Sequence, residues 1–154
     1  MPVISQLGAE GTKSILQALP VQITSAQILA LNATPIELVP APGAGRAIIF
    51  FGILLAKPAG TAYAGIAGGE DLAVKYTDAS GLQVASAETT GFLDQTSLQT
   101  RYAPVYSAAS GDSSYTPVVN AALVIHMLSG EITTGNTALN CIVQYSIVDT
   151  LPFG

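Results

Sequence analysis

The sequence has few of the residues that carry most protein chemistry. Its 154 residues include one cysteine, one histidine and no tryptophan, and only 10% of them are charged, whereas about a quarter of the residues in a typical soluble protein are charged. A single cysteine cannot form a disulfide within the chain, and a single histidine excludes a metal site built from several histidines. The fold must therefore be stabilised by a hydrophobic core, which a chain of this length can bury within one domain.

Positive charge is scarce as well. Lysine and arginine together number 5, against 10 acidic residues, so the formal net charge is -5. Nucleic acids and anionic membranes attract basic surfaces, and neither is an expected partner. The first cation, Lys13, follows Glu10, so we expect no secretion signal, which would need a basic N-terminal region. The longest uncharged apolar run, Ala47 to Ala56, has about half of the ~20 residues that a membrane helix needs and is expected to lie in the core.

Short apolar segments separated by turn-forming residues predict an all-β fold. The run from Ala47 to Ala56 does not alternate between apolar and polar residues, so we expect a central strand that is buried on both faces. The segment from Leu139 to Val148 does alternate, with Asn140, Gln144 and Ser146 on one face. No window has a sustained 3.6-residue apolar period, so helices are expected to be minor. We predict a single antiparallel β-sandwich, jelly-roll-like, over residues 21–154, with strands at 27–31, 36–39, 46–56, 71–76, from 82 onward, 120–128 and 139–148, and one or two short strands within 86–117.

Residues 1–20 are predicted to form an N-terminal arm. Prolines and glycines interrupt this segment, which is too broken for a strong helix. It is also too apolar for a free tail, because its apolar side chains gain stability only by burial on another surface; they are Val3, Ile4, Leu7, Ile15, Leu16 and Leu19. We expect the arm to dock on a neighbouring subunit or on a partner protein. The alternative is that it packs on its own sandwich as an extra strand.

His126 and Cys141 are the candidates for nucleophilic chemistry. If the last two strands pair so that Leu128 meets Leu139, His126 lies opposite Cys141, and an activated cysteine needs such a base within hydrogen-bond reach. Side chains in the middle of a sandwich strand are poorly placed to meet a substrate, so a core histidine and an inert buried thiol are the expected roles. The carboxylates are scattered, and no calcium-loop motif occurs. We expect no enzymatic activity, no catalytic residues, no metal and no cofactor.

Three tyrosines fall in the irregular region 86–117 and are possible outer-loop contacts. Tyr102, Tyr106 and Tyr115 could stack on the sugar rings of a host glycan. The alternative is that they anchor loops or provide rigid contact area at a subunit interface, where tyrosine is enriched. The sequence leaves this choice open.

A longer motif occupies residues 28–46, which have the sequence ILALNATPIELVPAPGAGR. Asn32 to Pro35 favour a turn, and Pro40 to Gly45 must form a loop, because prolines remove ladder donors and glycines permit positive φ. This run resembles the opening of small β-rich structural proteins of tailed bacteriophages, in which LNATP and APGAG stretches lead into a hydrophobic strand. The segments Gly60 to Tyr63, Asp71 to Tyr76 and Gly135 to Val148 fit the same family, so the resemblance covers roughly residues 26–149.

The resemblance implies a non-enzymatic virion structural protein. It points to a capsid decoration (cement) protein that binds and stabilises the assembled head, with the major capsid protein as its partner. Closed symmetry around capsid axes favours a homo-oligomer, and we expect a homotrimer. The alternative is a head-fibre, knob or tail component that binds a host-surface glycan. In either role the protein is expected in the virion, after assembly in the host cytoplasm.

Overall fold

Eight β-strands and one short α-helix make up the part of the chain that the structure, a computed structural model, describes: residues 16–66, 71–106 and 114–150. In chain order they are β1 (Gln17–Ile23), α1 (Ser25–Leu29), β2 (Ile36–Val39), β3 (Arg46–Lys57), β4 (Leu72–Tyr76), β5 (Gln83–Ala87), β6 (Gln99–Pro104), β7 (Leu123–Met127) and β8 (Leu139–Asp149). Each of these strands runs antiparallel to the strands with which it pairs.

The strands form two sheets of four. Sheet A has the order β1-β8-β3-β6, and sheet B has the order β2-β7-β4-β5. Two four-stranded antiparallel sheets with these crossovers between them have jelly-roll topology. The all-β sandwich with little helix that the sequence predicts is therefore confirmed.

The core lies between the sheets, because each strand turns alternate side chains inward. From sheet A, β3 contributes Phe50, Ile53 and Leu55, and from sheet B, β4 contributes Leu72 and Val74. All five side chains are 2% exposed or less. Burying side chains of this size contributes roughly 1.5–3 kcal/mol each, so these facing strands supply much of the stability.

Two buried tyrosines connect distant parts of the chain through the core. The Tyr76 hydroxyl of sheet B donates a hydrogen bond to the carbonyl of Ile48 in sheet A, and the Tyr63 hydroxyl donates to the carbonyl of Thr137. Burial raises the pKa of both hydroxyls, which keeps them protonated as donors. A buried hydroxyl is costly without a partner, so the Tyr76 bond helps to hold the two sheets in one relative position, and the Tyr63 bond joins the segment after β3 to the segment before β8.

Residues 25–29 form a helix where the sequence analysis expects a strand at 27–31. Thr24 is the N-cap residue of this helix. The backbone N–H of Gln27 donates to Thr24 Oγ1 (3.3 Å), and the backbone N–H of Thr24 donates to the side-chain oxygen Oε1 of Gln27 (2.9 Å). This capping box pairs N–H groups that the start of a helix leaves free. The strand prediction is wrong, because so short an apolar run has no period that separates a strand from a helix.

Strand β1 begins at Gln17, inside the segment predicted as an arm at residues 1–20. Its register with β8 pairs Gln17 with Tyr145 and Pro20 with Ile142. Residues 17–20 thus pack on the chain's own sandwich as an extra strand, and the sandwich begins before residue 21. The earlier part of the predicted arm, residues 1–15, lies outside the described residues.

Strand β3 is central in sheet A, between β8 and β6, but only its inner face is buried throughout. Phe51 and Leu54 are 42% and 37% exposed. The prediction that both faces of this strand are covered is therefore wrong for the described chain. Strand β7 has that property instead, since every residue from Leu123 to Met127 is buried.

Candidate interaction surface

The two candidate nucleophilic residues lie in different sheets. His126 in β7 pairs with Ala73 of β4, whereas Cys141 in β8 pairs with Val21 and Leu55. The expected pairing of the last two strands is wrong, because the jelly-roll connection takes the chain from sheet B to sheet A between them. Burial raises the pKa of the Cys141 thiol to about 12, so it stays protonated and unreactive at neutral pH.

His126 has a structural partner. Its Nε2 atom lies 3.0 Å from the Asn32 carbonyl oxygen, to which a neutral ring with its proton on Nε2 donates. Asn32 Nδ2 in turn donates to the carbonyl of Met127 at 2.8 Å. Burial lowers the pKa of His126, and Lys75 acts in the same direction, while the Asn32 bond and Glu131 oppose them. These hydrogen bonds hold the turn that contains Asn32 against β7. Because Asn32 belongs to the LNATP motif, this part of the motif stabilises the fold.

Acidic side chains do not gather into a metal site within residues 16–66, 71–106 and 114–150. No group of three or more His, Cys, Asp or Glu side chains there could hold an ion. Arg46 and Asp149 form an exposed ion pair at 3.2 Å. Asp78 accepts hydrogen bonds from the hydroxyl and the backbone N–H of Ser80, which lower its pKa. These carboxylates stabilise a strand end and a turn.

Lys57 is a fully buried cation. Lys57, at the end of β3, is 0% exposed, and its Nζ donates to the carbonyls of Gln95 (2.7 Å) and Pro58 (3.3 Å). Burial lowers the pKa of this amine. Because a buried ammonium needs polar partners, these bonds hold the segment around Gln95 against the end of sheet A.

The three predicted contact tyrosines take different positions. The Tyr115 hydroxyl accepts from the Phe50 N–H at 2.8 Å and donates to the Phe50 carbonyl at 3.2 Å, and its ring lies 6.1 Å from that of Tyr76. Tyr115 is therefore an anchor of the fold. Tyr102 lies within β6 rather than in a loop, and Tyr106 follows that strand; they are 51% and 45% exposed. These two rings are therefore exposed at the surface of the sandwich.

The outward side of sheet A is open and uncharged where β6 pairs with β3, whereas toward the start of β3 the outward residues Ala47 and Ser146 are only 0% and 3% exposed. The outward residues of the open part, together called the open face, are Ala18, Pro20, Gln22, Phe51, Gly52, Leu54, Ala56, Thr100, Tyr102, Pro104, Asn140, Ile142 and Gln144. None of these residues is charged. Leu54 lies between Tyr102 of β6 and Ile142 of β8 in the register, and the three are 37%, 51% and 40% exposed. The middle of the open face is thus an apolar patch bordered by amides and prolines.

The ring of Tyr102 crosses β3 above Gly52. A Cβ atom at Gly52 would lie 2.2 Å from the Tyr102 hydroxyl oxygen, so glycine is needed for the ring to take this place. The hydroxyl donates to Gln144 Oε1 on β8 at 3.2 Å. The register of β3 shifts between Phe50 and Gly52, and this bulge leaves Phe51 exposed beside the ring. A bulge often redirects a side chain at a functional surface.

The outward side of sheet B is different. Ala73, Val124 and His126 point away from the central core, yet they are only 1%, 6% and 6% exposed. Val124 pairs with Glu37 on one side and Lys75 on the other, so this side of the sandwich also carries charge. Sheet B therefore has a closed and charged outer side, in contrast to the open face.

Phe51, Leu54 and Ile142 are surface residues that the sequence analysis did not predict: it expected Phe51 and Leu54 to be buried with the rest of their strand, and it did not single out Ile142. One signal was present in β8, where Ile142 interrupts the polar face formed by Asn140 and Gln144. Strand β3 gave a second signal, because it is apolar at outward positions as well as inward ones. In an antiparallel sheet with one solvated face, outward positions are normally polar, so the apolar residues at these outward positions depart from the usual pattern.

Two of the predicted arm contacts fall within the described chain. Leu16 is 61% exposed, and Leu19 is partly buried against the core. The remaining four lie outside the described residues: Val3, Ile4, Leu7 and Ile15. Of the two described residues, Leu16 is therefore exposed to solvent and Leu19 packs against the chain's own core.

Comparison of the chain with protein-family models, with curated proteins and with solved structures finds no match. Within the described ranges, no helix has the length and apolarity needed to cross a membrane. The open face and the LNATP and APGAG motifs are the features that indicate a function.

Proposed function

We propose that this protein is a non-enzymatic bacteriophage virion structural protein, a capsid decoration (cement) protein that binds and stabilises the assembled head. The observation that carries the proposal is the open face, an exposed, uncharged and largely apolar side of a four-stranded sheet. Such a surface suits contact with another protein. Nucleic acids and anionic lipids would need positive charge, and a small ligand would need a concave pocket with converging polar groups.

Support for a place in the virion comes from the resemblance of residues 26–149 to structural proteins of tailed phages. The fold is compatible with it, because jelly rolls are common among viral capsid domains. A fold by itself does not assign a function, so the proposal depends on the motifs together with the open face.

A decoration protein acts through binding linkage. A subunit that binds only the assembled shell stabilises each site by RT ln(1 + [L]/Kd), and the effect is repeated over many sites. No catalytic group is required, but the subunit must be a rigid body. The core between the sheets and the buried bonds of Tyr63 and Tyr76 supply that rigidity.

We assign attachment to residues 1–15. Strand β1 is the edge strand of sheet A and is paired along its whole length with β8, so the chain enters the sandwich at the border of the open face. The preceding segment has the apolar residues Val3, Ile4, Leu7 and Ile15, which would be stabilised by burial on a shell protein. Attachment would then use the segment that precedes the first described strand.

Undecorated phage heads provide the test. Purified protein is expected to co-sediment with heads assembled without it, to saturate, and to raise the temperature at which the heads disassemble. A variant that lacks residues 1–15 keeps the whole of β1 and should melt like the full chain while losing head binding. Failure of the full-length protein to bind heads would overturn the decoration role, and undiminished binding by the shortened variant would overturn the attachment by residues 1–15.

A second candidate is a fibre or tail component that binds a host glycan. The exposed rings of Tyr102 and Tyr106 favour it, and the Gln144 amide beside the Tyr102 hydroxyl is a polar partner that a sugar would require. A glycan array with the Tyr102→Ala and Tyr106→Ala variants separates the two roles. Glycan binding that both substitutions abolish, together with no head binding, would support the fibre role.

A further inference from the structure

We propose that the open face packs against the same face of a second copy of this chain, around a two-fold axis that runs along β3. The proposal names a second copy as the partner of the surface described above and rests on the proposed function only in treating that surface as a protein contact. Attachment to the head stays with residues 1–15, and the proposed dimer replaces the homotrimer that the sequence analysis expects. It requires no capsid, so it can be tested on the isolated protein.

The apolar content of β3 is the first reason to expect a cover on the open face. This strand is apolar on both sides, and the described chain buries the inner side but leaves part of the outer side exposed. Phe51 and Leu54 remain exposed beside Tyr102 and Ile142. A contiguous patch of this kind marks a contact site in a soluble protein.

The distribution of charge favours a second copy of the chain as the partner that packs on the open face. The net charge of -5 opposes the approach of identical copies through their acidic surfaces, but the open face has no charged residue. Arg101 of β6 turns away from it, because its guanidinium donates to the Glu88 carbonyl and lies 5.3 Å from the centre of the Phe92 ring. Arg46 and Asp149, at the ends of β3 and β8 in the same sheet, form an ion pair with no net charge. Contact through the open face therefore desolvates no unpaired charge.

The order of the strands determines which residues meet when the open faces of two copies pack together. Leu54 lies on β3, with Tyr102 on the β6 side and Ile142 on the β8 side. A two-fold axis along β3 puts β6 of each copy opposite β8 of the other. Tyr102 of each copy then covers Ile142 of its partner, and the two Leu54 side chains meet at the axis. The Tyr102 ring is already held over Gly52, so it loses little freedom on binding.

The area of the face sets the strength of the contact. Four strands about 4.8 Å apart, overlapping over about six residues, give a face of roughly 400 Å². A standard interface buries about 800 Å² on each partner. The dimer should therefore be reversible in dilute solution and should form more fully where copies are held at high local concentration, as on a lattice.

Sedimentation of the full-length protein across a wide concentration range is the test. The mass is expected to rise from one chain toward two between about 1 µM and about 500 µM. Leu54→Asp and Ile142→Asp should keep the mass of one chain throughout, because each buries a carboxylate in the contact. Leu98→Asp is the matched control, since Leu98 is 64% exposed and lies outside the open face; it should associate like the wild type. Tyr102→Ala provides a milder variant if an aspartate lowers the melting temperature.

Each other outcome overturns the proposal. A wild-type mass of one chain at all concentrations excludes the pairing, and a trimer mass excludes the two-fold arrangement. If the wild type is monomeric and deletion of residues 1–15 makes it dimeric, the chain's own N-terminal segment covers the face. Association that Leu98→Asp abolishes and Leu54→Asp leaves intact would place the contact elsewhere. None of these results depends on head binding, so failure of the decoration role remains distinguishable.

A crosslink tests the axis itself. Facing sheets lie about 10 Å apart, so a bis-maleimide of about that reach should join Leu54→Cys to its own copy. It should also join Tyr102→Cys to Ile142→Cys in a mixture of the two variants. Cys141 should not compete, because it is buried and its thiol stays protonated. Crosslinking of Tyr102→Cys with itself in place of Ile142→Cys would require a different axis and would overturn the arrangement.

Discussion

The two outer sides of the sandwich show that apolar strands alone do not reveal which surface a fold covers. On sheet A, Leu54 and Ile142 point outward from apolar strands and stay exposed. On sheet B, Ala73 and Val124 also point outward but are buried, although Glu37 and Lys75 lie beside them. A chain with 10% charged residues cannot cover its whole surface with charge. The side without charge is the side that we expect a partner to cover.

Truncation of the neighbouring residues Leu54 and Leu55 on β3 should give the largest difference in the free energy of unfolding between the outer and inner sides of sheet A. Leu55→Ala should lower the free energy of unfolding by about 2–5 kcal/mol, because it leaves a cavity between the sheets, whereas Leu54→Ala should cost less than about 1 kcal/mol in the monomer. Chemical denaturation at low protein concentration measures both. Equal losses would mean that the outer side of β3 is covered within a single chain.

Replacing an outward alanine by leucine on each sheet should give a smaller difference in stability between the two variants. Ala73→Leu, at a position that is 1% exposed, should cost about 1–3 kcal/mol through overpacking. Ala56→Leu on the open face should change the stability of the monomer by less than about 0.5 kcal/mol. Thermal melting of both variants provides the check. A destabilised Ala56→Leu variant with an unaffected Ala73→Leu variant would reverse the assignment of open and closed sides.

In sheet B, His126 should make the stability of the fold depend on pH in the mildly acidic range. The pKa of His126 is lowered from 6.5 in the folded chain, with burial as the main cause, so the unfolded chain takes up the proton first. Stability should therefore be full above pH 6.5 and should fall as the pH decreases toward the lowered value of the folded state. Denaturation at several pH values should show this loss in the wild type and in Leu54→Ala. His126→Gln should remove it, and a wild-type slope that persists in His126→Gln would assign the effect to other groups.

The smallest expected change concerns Gly52. Gly52→Ala places a methyl group where the Tyr102 ring lies, but the ring is exposed and can move aside. The loss should be about 1 kcal/mol or less, together with weaker self-association. In a double-mutant cycle, Tyr102→Ala should remove most of that loss. Additive losses would show that the added methyl group meets backbone rather than the ring.

Much of the fold followed from local patterns. Alternation in β8 and turn chemistry between the strands predicted an all-β sandwich, because strand period and turn preference depend on residues close in sequence. The same reasoning failed at residues 27–31, where Thr24 and Gln27 cap a helix, and at Gln17, where β1 begins within the segment predicted as an arm. In both places a short segment had no clear period. The capping box of the helix is local, because Thr24 and Gln27 are three residues apart, whereas strand β1 depends on pairing with β8, which is distant in sequence.

For the candidate surface, the amino-acid composition establishes that few charges and no histidine cluster are present, and the sequence offers Tyr102 as a possible contact ring. That Leu54, Tyr102 and Ile142 adjoin is known from the fold, because they come from three strands whose order is set by the jelly-roll crossovers. The fold also separated His126 from Cys141, which the sequence allowed as a pair. The physical reason is that strand order and register arise from packing across the whole core, whereas a sequence pattern specifies only the side of its own strand to which a residue points.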